Sequence, residues 1–211
     1  MASVCTVLGA CEPPAHASAA ARSTLARRTR RDLEAIRLTE LGARAGLVCE
    51  LTGLERRVAL RLYQEIHGRP SPAGQLPFSD TWYRRRPERW LHASIIWHLD
   101  RRLAGAPVSR AARLIAVYEL YRESVAVPRL DIARADFVPR LVAMGEWTVA
   151  RCRECAVAYV GPPEAGVPRC PACALYRRYR CAGCGAPLRR QDAGRRTPLC
   201  GTCRGRERGG R

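Results

Sequence analysis

The sequence predicts a mainly α-helical protein whose C-terminal part is a small cysteine-rich segment of the zinc-ribbon type. Apolar residues recur at helical spacing from about residue 32 to residue 147, and four C-x2-C pairs are confined to residues 152–203. The predicted organisation is a disordered segment or extension at 1–30, a multi-helical body at 31–147, a four-cysteine module at 148–176, and a second such module with a basic Arg/Gly-rich tail at 177–211.

The N-terminal segment shows no useful periodicity. Residues 1–26 are rich in Ala and Ser and are interrupted by Pro13 and Pro14, a composition that favours disorder. The segment lacks the basic n-region of a signal peptide, and no run in the chain approaches the roughly 18 apolar residues of a spanning helix. We therefore expect a cytoplasmic protein that does not associate with a membrane.

The helical body is expected to begin near Asp32. An apolar face at three- and four-residue spacing is formed by Leu38, Leu41, Ala45 and Val48. A short turn and a second helix follow, so the start of the body resembles a helix-turn-helix.

A Ser/Thr-x-x-Glu capping box at Thr52 and Glu55 predicts where the second helix starts, and Gly68 predicts where it ends. Its inward stripe is expected to consist of Leu54, Val58, Leu62 and Ile66. Candidates for contacts with DNA phosphates or base edges lie near its start, with an ordinary solvated face as the alternative; they are Arg56, Arg57 and Arg61.

A long irregular connection spans residues 68–87 and contains four prolines. Its aromatic residues are expected to be buried anchors; they are Phe78, Trp82 and Tyr83. Three consecutive arginines follow and are candidates for phosphate contact; they are Arg84, Arg85 and Arg86.

Three further helices are predicted between residues 87 and 147. The first carries a stripe of Leu91, Ile95, Leu99 and Leu103, with Trp90 and Trp97 alongside. The second is capped by Ser109 and turns Ala111, Leu114, Tyr118 and Tyr121 inward. The third contains Leu130, Ala133, Phe137, Leu141 and Met144, and Pro139 should kink or break it. The apolar faces around Trp90, Trp97 and Tyr118 are expected to be exposed for a partner protein.

The cysteine pairs carry the clearest chemistry in the chain. They are Cys152/Cys155, Cys170/Cys173, Cys181/Cys184 and Cys200/Cys203. Fourteen residues separate the first two pairs and fifteen the last two, close to zinc-ribbon spacing. All four histidines precede these pairs, so sulfur alone would hold an ion; such a closed Zn2+ site is structural, not catalytic.

Zinc is preferred over disulfides, which suit secreted chains, and over an iron–sulfur cluster. The ligands can be shared in two ways. In the sequential arrangement pairs one and two hold one ion and pairs three and four hold another; in a cross-brace, pairs one and three share an ion. The seven-residue link between the quartets favours the sequential form.

The charge of the chain is strongly positive. The formal net charge is +18, and all 37 basic residues are arginines. Such a surface predicts a polyanionic partner and favours nucleic acid. Candidate contacts in the C-terminal region are Arg177, Arg178 and Arg180, and residues 204–211 are expected to form a flexible basic arm.

Several segments resemble the FlhC family of flagellar transcriptional activators. They are IRLTELGARAGLV at 36–48, LYQEIHGRPSPAGQLPFSDTWY at 62–83, WLHASIIWHL and AVYELY, followed by the C-x2-C pairs in the same order. The resemblance covers roughly residues 33–175. The first 25 or so residues, the second cysteine quartet and the arginine-rich tail are additional to the family pattern.

The resemblance implies a DNA-binding activator of class II flagellar operons that works in a heterohexamer of two FlhC and four FlhD subunits, together with RNA polymerase. It also implies one zinc per chain, held by the residues that match the family's cluster; they are Cys152, Cys155, Cys170 and Cys173. A second zinc would then belong to the second quartet. The alternative function is a zinc-ribbon protein that binds RNA through its basic tail. A zinc enzyme is disfavoured because the all-sulfur shells leave no open position.

Overall fold

The structure is a computed structural model that describes residues 19–163, 169–189 and 198–209. Its elements in chain order are α1 (Ala19–Glu40), α2 (Ala45–Thr52), α3 (Arg56–His67), α4 (Thr81–Arg84), α5 (Pro87–Arg102), α6 (Arg110–Ser124), α7 (Ile132–Ala143), β1 (Thr148–Arg151), β2 (Ala158–Gly161), α8 (Pro171–Arg178) and α9 (Gly201–Gly209). The predicted fold class is confirmed: the protein is mainly helical, and two four-cysteine clusters lie at its C-terminal end.

The first helix is longer than the periodicity predicts. It begins at Ala19, so residues 19–30 are helical where disorder or an extension was expected. The four apolar residues of the predicted face are all buried, but Leu38 lies in α1, Leu41 in the connection at residues 41–44, and Ala45 and Val48 in α2. The chain turns there because Gly42 adopts a φ of 88° and its N–H donates to the carbonyl of Thr39.

The predicted capping box at Thr52 and Glu55 is wrong. Thr52 is the last residue of α2, and its hydroxyl donates to the carbonyl of Val48 at 2.7 Å and accepts from the N–H of Leu54 at 3.3 Å. Glu55 itself occupies the cap position of α3 and makes no side-chain capping bond. Because Gly53 ends α2 in the left-handed conformation, only two further residues precede α3.

Helix α3 buries a different stripe from the predicted one. Ala59 and Tyr63 are its buried residues, whereas Val58 is 46% exposed. Leu62 and Ile66 are half-buried, so the inward face is rotated by about one residue. The predicted end at Gly68 is confirmed, since Gly68 has a φ of 65° and caps the helix.

The proline-rich connection anchors itself through one aromatic residue of the three. Tyr83 is fully buried, and its hydroxyl donates to the carbonyl of Arg134 at 2.8 Å. Trp82 is half-buried, but Phe78 is 78% exposed, so its prediction as a buried anchor is wrong. Phe78 precedes the helical turn α4, and that turn directs the next two aromatic residues toward the body.

Helix α5 lies at the centre of the protein. It packs against α4, α6, α7, α8 and β2. Its predicted stripe is only half-buried, and the residues buried deepest are Ala93, Ser94, Ile96 and Trp97. The aromatic residues expected on an open partner face are therefore occupied within the chain, since Trp97 and Tyr118 are buried and Trp90 packs on the cysteine module.

The last two body helices follow the sequence closely. Ser109 caps α6 by accepting the N–H of Ala112, and the four residues predicted to face inward are buried. Helix α7 continues through Pro139 without a break, because buried side chains such as Phe137 and Leu141 hold both halves against the core. Met144 is exposed beyond the helix end, not inward as expected.

The C-terminal part pairs small β-structures with helices. Strands β1 and β2 form an antiparallel hairpin, with Val149 opposite Val160. Helix α9 extends to Gly209, so the expectation of a flexible arm from residue 204 is wrong up to that point. Across the three described ranges, none of the helices is both long and apolar enough to cross a membrane.

Candidate metal centres and basic surface

The first cysteine cluster joins a hairpin to a helix. Cys152 and Cys155 lie in the turn between β1 and β2, and Cys170 and Cys173 lie at the start of α8. Their four sulfur atoms are within 4.8 Å of one another. The Sγ atoms of Cys155 and Cys170 are 3.7 Å apart.

Backbone N–H groups point at the sulfur of Cys152. Those of Cys170 and Glu154 donate to it at 3.2 and 3.4 Å. Burial alone would raise the pKa of the Cys152 thiol, but these donors, together with the N–H of Cys155, lower the pKa to about 6. The thiolate, the form that ligates a metal, is therefore favoured at Cys152, whereas burial raises the pKa of Cys170 and of Cys173.

The second cluster repeats the first. Cys181 and Cys184 lie in a turn closed by a bridge between Arg180 and Pro187, while Cys200 directly precedes α9 and Cys203 lies on its first turn. The N–H of Cys200 donates to the sulfur of Cys181 at 3.2 Å. That bond and further N–H donors lower the pKa of Cys181 to about 6.

The sulfur geometry fits a tetrahedral metal. Zn–S bonds of about 2.3 Å place tetrahedral sulfurs about 3.8 Å apart, close to the 3.7 Å of Cys155–Cys170 and of Cys184–Cys200. A disulfide would need about 2.05 Å. The structure brings pair one to pair two and pair three to pair four, which is the sequential grouping and not the cross-brace.

The first module is attached to the body by one face of α5. The ring N–H of Trp90 donates to the carbonyl of Val160, and Nε2 of His98 donates to the carbonyl of Ala158 at 2.7 Å. Between them, Ser94 Oγ accepts the N–H of Val160 at 3.5 Å. The i, i+4, i+8 spacing of these three side chains places them on one face of α5, but nothing in the sequence indicates that this face contacts β2.

A carboxylate braces the first cysteine turn against α8. Glu154, which lies between Cys152 and Cys155, accepts hydrogen bonds from Arg169 and from Arg177. Its pKa is lowered, first by the hydrogen bond from Arg177 and then by Arg169. Part of the positive charge of Arg177 is thus compensated within the protein.

The predicted nucleic-acid contacts fall into separate regions. Arg56, Arg57 and Arg61 are exposed on α3. A second region is a cleft that brings Arg85 and Arg86 together with Arg178 of α8.

The other three candidates have identifiable neighbours. Arg84 Nη1 lies 3.7 Å from a carboxylate oxygen of Asp80. Arg177 pairs with Glu154, and the guanidinium of Arg180 lies 4.7 Å from the ring centre of Tyr176.

Trp82 is held between two arginines, Arg89 and Arg134, that no motif in the sequence marks. The guanidinium carbons of Arg89 and Arg134 lie 4.0 and 4.1 Å from its ring centre. Nη1 of Arg89 also donates to the carbonyl of Trp82 at 3.1 Å. This stack places Arg89 beside Arg86 at the start of α5.

A helical body with exposed arginines and two four-cysteine clusters combines a cationic surface with candidate structural metal centres, which suits a binding protein. Over residues 20–198 the chain matches the family described as "Flagellar transcriptional activator (FlhC)". The chain therefore belongs to the FlhC family of flagellar transcriptional regulators.

Curated relatives agree with this assignment. The "Flagellar transcriptional regulator FlhC" of Burkholderia lata is 34% identical over 203 residues, with 82% of this chain and 88% of the relative covered. The protein of the same name from Enterobacter cloacae is 29% identical over 161 residues, with 74% and 79% covered. That of Thauera aminoaromatica is 29% identical over 168 residues, with 77% and 81% covered.

Proposed function

We propose that this chain is a DNA-binding activator that switches on class II flagellar operons in the cytoplasm, in a complex with FlhD. The observation that carries the proposal is the family match over residues 20–198. The complex contains two FlhC and four FlhD subunits and acts on promoters together with RNA polymerase. The family is named for regulating transcription, so an enzymatic activity is not part of the proposal.

The helix pair at the start of the body supports DNA binding. Helices α2 and α3 pack on each other and on α1, and a short turn connects them. The start of α3 carries Arg56, Arg57 and Arg61 in exposed positions, where a second helix entering the major groove would place its contacts.

An exposed apolar face of α1 supports the binding of a partner protein. Leu25 is 66% exposed and Leu33 is 61% exposed, and Ile36 lies three residues further on with 38% exposed. These side chains occupy one side of a long helix, where burial against FlhD would remove them from water.

We propose that each four-cysteine cluster holds one Zn2+. The support is the sulfur spacing, the N–H donors at Cys152 and Cys181, and the absence of histidine from both clusters. Zinc would supply structure here, because four protein ligands leave no position for a substrate. The second ion would be additional to the single zinc that the family resemblance implies.

Co-expression with FlhD tests the proposed function. We expect a large complex that contains both proteins and binds a flagellar promoter duplex more tightly than a shuffled duplex of equal length. Leu33→Glu should prevent the complex from forming, whereas Leu120→Glu, on the exposed side of α6, serves as a matched control. Tighter binding to single-stranded RNA than to the promoter duplex would support the RNA-binding alternative, and a monomer with no affinity for FlhD would contradict the proposal.

A further inference from the structure

An open polar cleft of about 810 Å³ lies between the body and the first cysteine module. Its walls are formed by the start of α5 and the end of α8, two helices that pack against each other. The lining residues are Arg85, Arg86, Pro87, Glu88, Arg89, Arg178 and Tyr179. The cleft therefore exists only when the module is attached to the body.

The cleft is strongly cationic. Four of its seven lining residues are arginines and only Glu88 is acidic. Arg85, Arg86 and Arg178 are exposed, and none of them forms an ion pair with a carboxylate in the described part of the chain. These three guanidinium groups are thus available to an anionic ligand.

The crowding of like charges around Arg89 is a second sign of uncompensated charge. Burial lowers the pKa of Arg89, and the neighbouring Arg86, Arg134 and Arg85 lower it further. The stack on Trp82 and the hydrogen bond to its carbonyl hold Arg89 in place despite this repulsion. An anion in the cleft would relieve the repulsion.

The shape and the backbone also suit a phosphate. Guanidinium groups bind phosphate oxygens through paired N–H donors. The first residues of α5, a helix of sixteen residues that no side chain caps, line the cleft, so the positive end of the helix dipole lies at the same region. The lining is too polar for an apolar ligand.

We propose that the sugar–phosphate backbone of duplex DNA crosses this cleft, and that Arg86 from the body and Arg178 from α8 grip the same phosphate group. This inference rests on the proposed DNA-binding function. It assigns Arg178 a different role from Arg177 and Arg180, which interact with Glu154 and with Tyr176. Because the two arginines would contact a phosphate and no base, they would add affinity without selecting a sequence.

The test measures duplex affinity of the full chain, co-expressed and purified with FlhD, over a series of salt concentrations. The variants are Arg86→Ala, Arg178→Ala and the double variant, each with a promoter duplex and a shuffled duplex. Arg101→Ala is the matched control, since Arg101 is an exposed arginine at the opposite end of α5. Metal content and circular dichroism verify that each variant is folded.

Each single variant should lower affinity on the order of tenfold for both duplexes alike. The slope of log affinity against log salt should become shallower by about one unit. The double variant should lose less than the product of the single losses, because the two arginines share one phosphate. Arg101→Ala should change affinity much less.

Two results would overturn the shared phosphate contact while leaving the proposed function intact. One is that neither single variant lowers the duplex affinity below that of wild type. The other is a double variant whose loss of affinity equals the product of the two single losses. A loss confined to the promoter duplex would also overturn it, because that result would mean base recognition. A wild-type complex with FlhD that binds neither duplex would contradict the proposed function and the shared phosphate contact together.

Discussion

The indole N–H of Trp90 donates a hydrogen bond to the carbonyl oxygen of Val160, and this bond links the central helix to the cysteine module. Val160 is also part of the main hydrophobic core, while Trp90 packs on the small core formed by Cys152, Tyr159 and Cys170. Val160 of the module is therefore part of the core of the body, and Trp90 of the body packs on the core of the module. The body and the first module should behave as one folding unit.

The first prediction concerns Gly161, which follows Val160 at the end of β2. A Cβ atom at Gly161 would overlap Cζ2 of Trp90, so the indole would have to move. We expect Gly161→Ala to lower the free energy of unfolding by about 1–3 kcal/mol and to weaken the attachment of the module. Denaturant unfolding and protease susceptibility of the 148–176 segment would measure both effects.

Gly46→Ala is the matched control, because nothing lies within 4 Å of a Cβ at Gly46 and this glycine is inside α2. A helical Gly→Ala change without a clash should be neutral or stabilising. An equal free energy of unfolding for Gly161→Ala and wild type would contradict close packing of Trp90 against β2.

The second prediction concerns the independence of the two clusters. Binding of a structural zinc is largely folding free energy, on the order of 10 kcal/mol per site. Cys203→Ser should therefore lower the zinc content from two ions per chain to one and leave the first cluster intact. Elemental analysis with protein quantification measures this ratio directly.

Cys173→Ser should also leave one zinc, but with a larger loss of thermal stability, because the first cluster packs against Trp90 of the body. Loss of both ions from either variant would mean that the two clusters share ligands, as in the cross-brace. Equal thermal effects of the two variants would contradict the unequal attachment to the body.

The third prediction compares the two cysteine turns. Ala156 and Gly185 occupy equivalent positions, since each donates its N–H to the carbonyl of the first cysteine of its turn. Both are left-handed, with φ of 58° at Ala156 and 72° at Gly185. A side chain is unfavourable in this conformation, so Ala156→Gly should stabilise the first module by about 1 kcal/mol.

The reverse change, Gly185→Ala, should destabilise the second module by a similar amount. No atom lies within 4 Å of the added Cβ, so the effect would come from backbone conformation alone. Zinc retention during chelator titration reports on each module separately. A loss of zinc affinity in Ala156→Gly would contradict the left-handed assignment.

The fourth prediction concerns His92 and Tyr121. The hydroxyl of Tyr121 accepts the N–H groups of Arg129 and Leu130 at 2.8 and 3.1 Å, so its own proton points to Nδ1 of His92 at 2.7 Å. That nitrogen is therefore an acceptor, and the imidazole is neutral. Burial and the charge of Arg129 lower the pKa of His92, with Glu88 acting weakly in the opposite direction.

Since the folded pKa is below the unfolded value of about 6.5, the unfolded chain binds more protons between the two values. The stabilising contribution is complete above pH 6.5 and is lost as the pH falls toward the folded pKa. Tyr121→Phe removes the donor to neutral Nδ1, so it should raise the pKa of His92. NMR titration of the ring protons, assigned with His92→Gln, measures both values; a wild-type pKa at or above 6.5 would contradict the arrangement.

The sequence predicted features that depend on local chemistry. Ser109 caps α6 because its hydroxyl oxygen accepts the N–H of Ala112, which has no partner within the helix. The cysteine quartets were predictable for the same reason, since a C-x2-C spacing brings two sulfurs to one turn whatever surrounds it. Gly68 ended its helix as predicted because only glycine adopts the left-handed conformation without strain.

Features that depend on distant contacts were not predictable from spacing. Thr52 has the residue pattern of an N-cap, but Gly53 ends the preceding helix first. The half-buried stripe of α5 gave no hint that a second face of the helix hydrogen-bonds to β2, because those partners lie 60–70 positions away. The arginine cleft likewise joins Arg86 to Arg178 only through the packing of α5 on α8.

Helix α5 has no exposed residue between Pro87 and Asp100. A surface helix normally offers one side on which substitutions accumulate freely, but in α5 every residue from Pro87 to Asp100 is at least partly covered by its surroundings. Natural variation in this helix should therefore be slow and correlated, with a change at Trp90 or His98 accepted only alongside a change in the strand it contacts. Variation in α1, whose outer face remains open, is free of that constraint until a partner covers it.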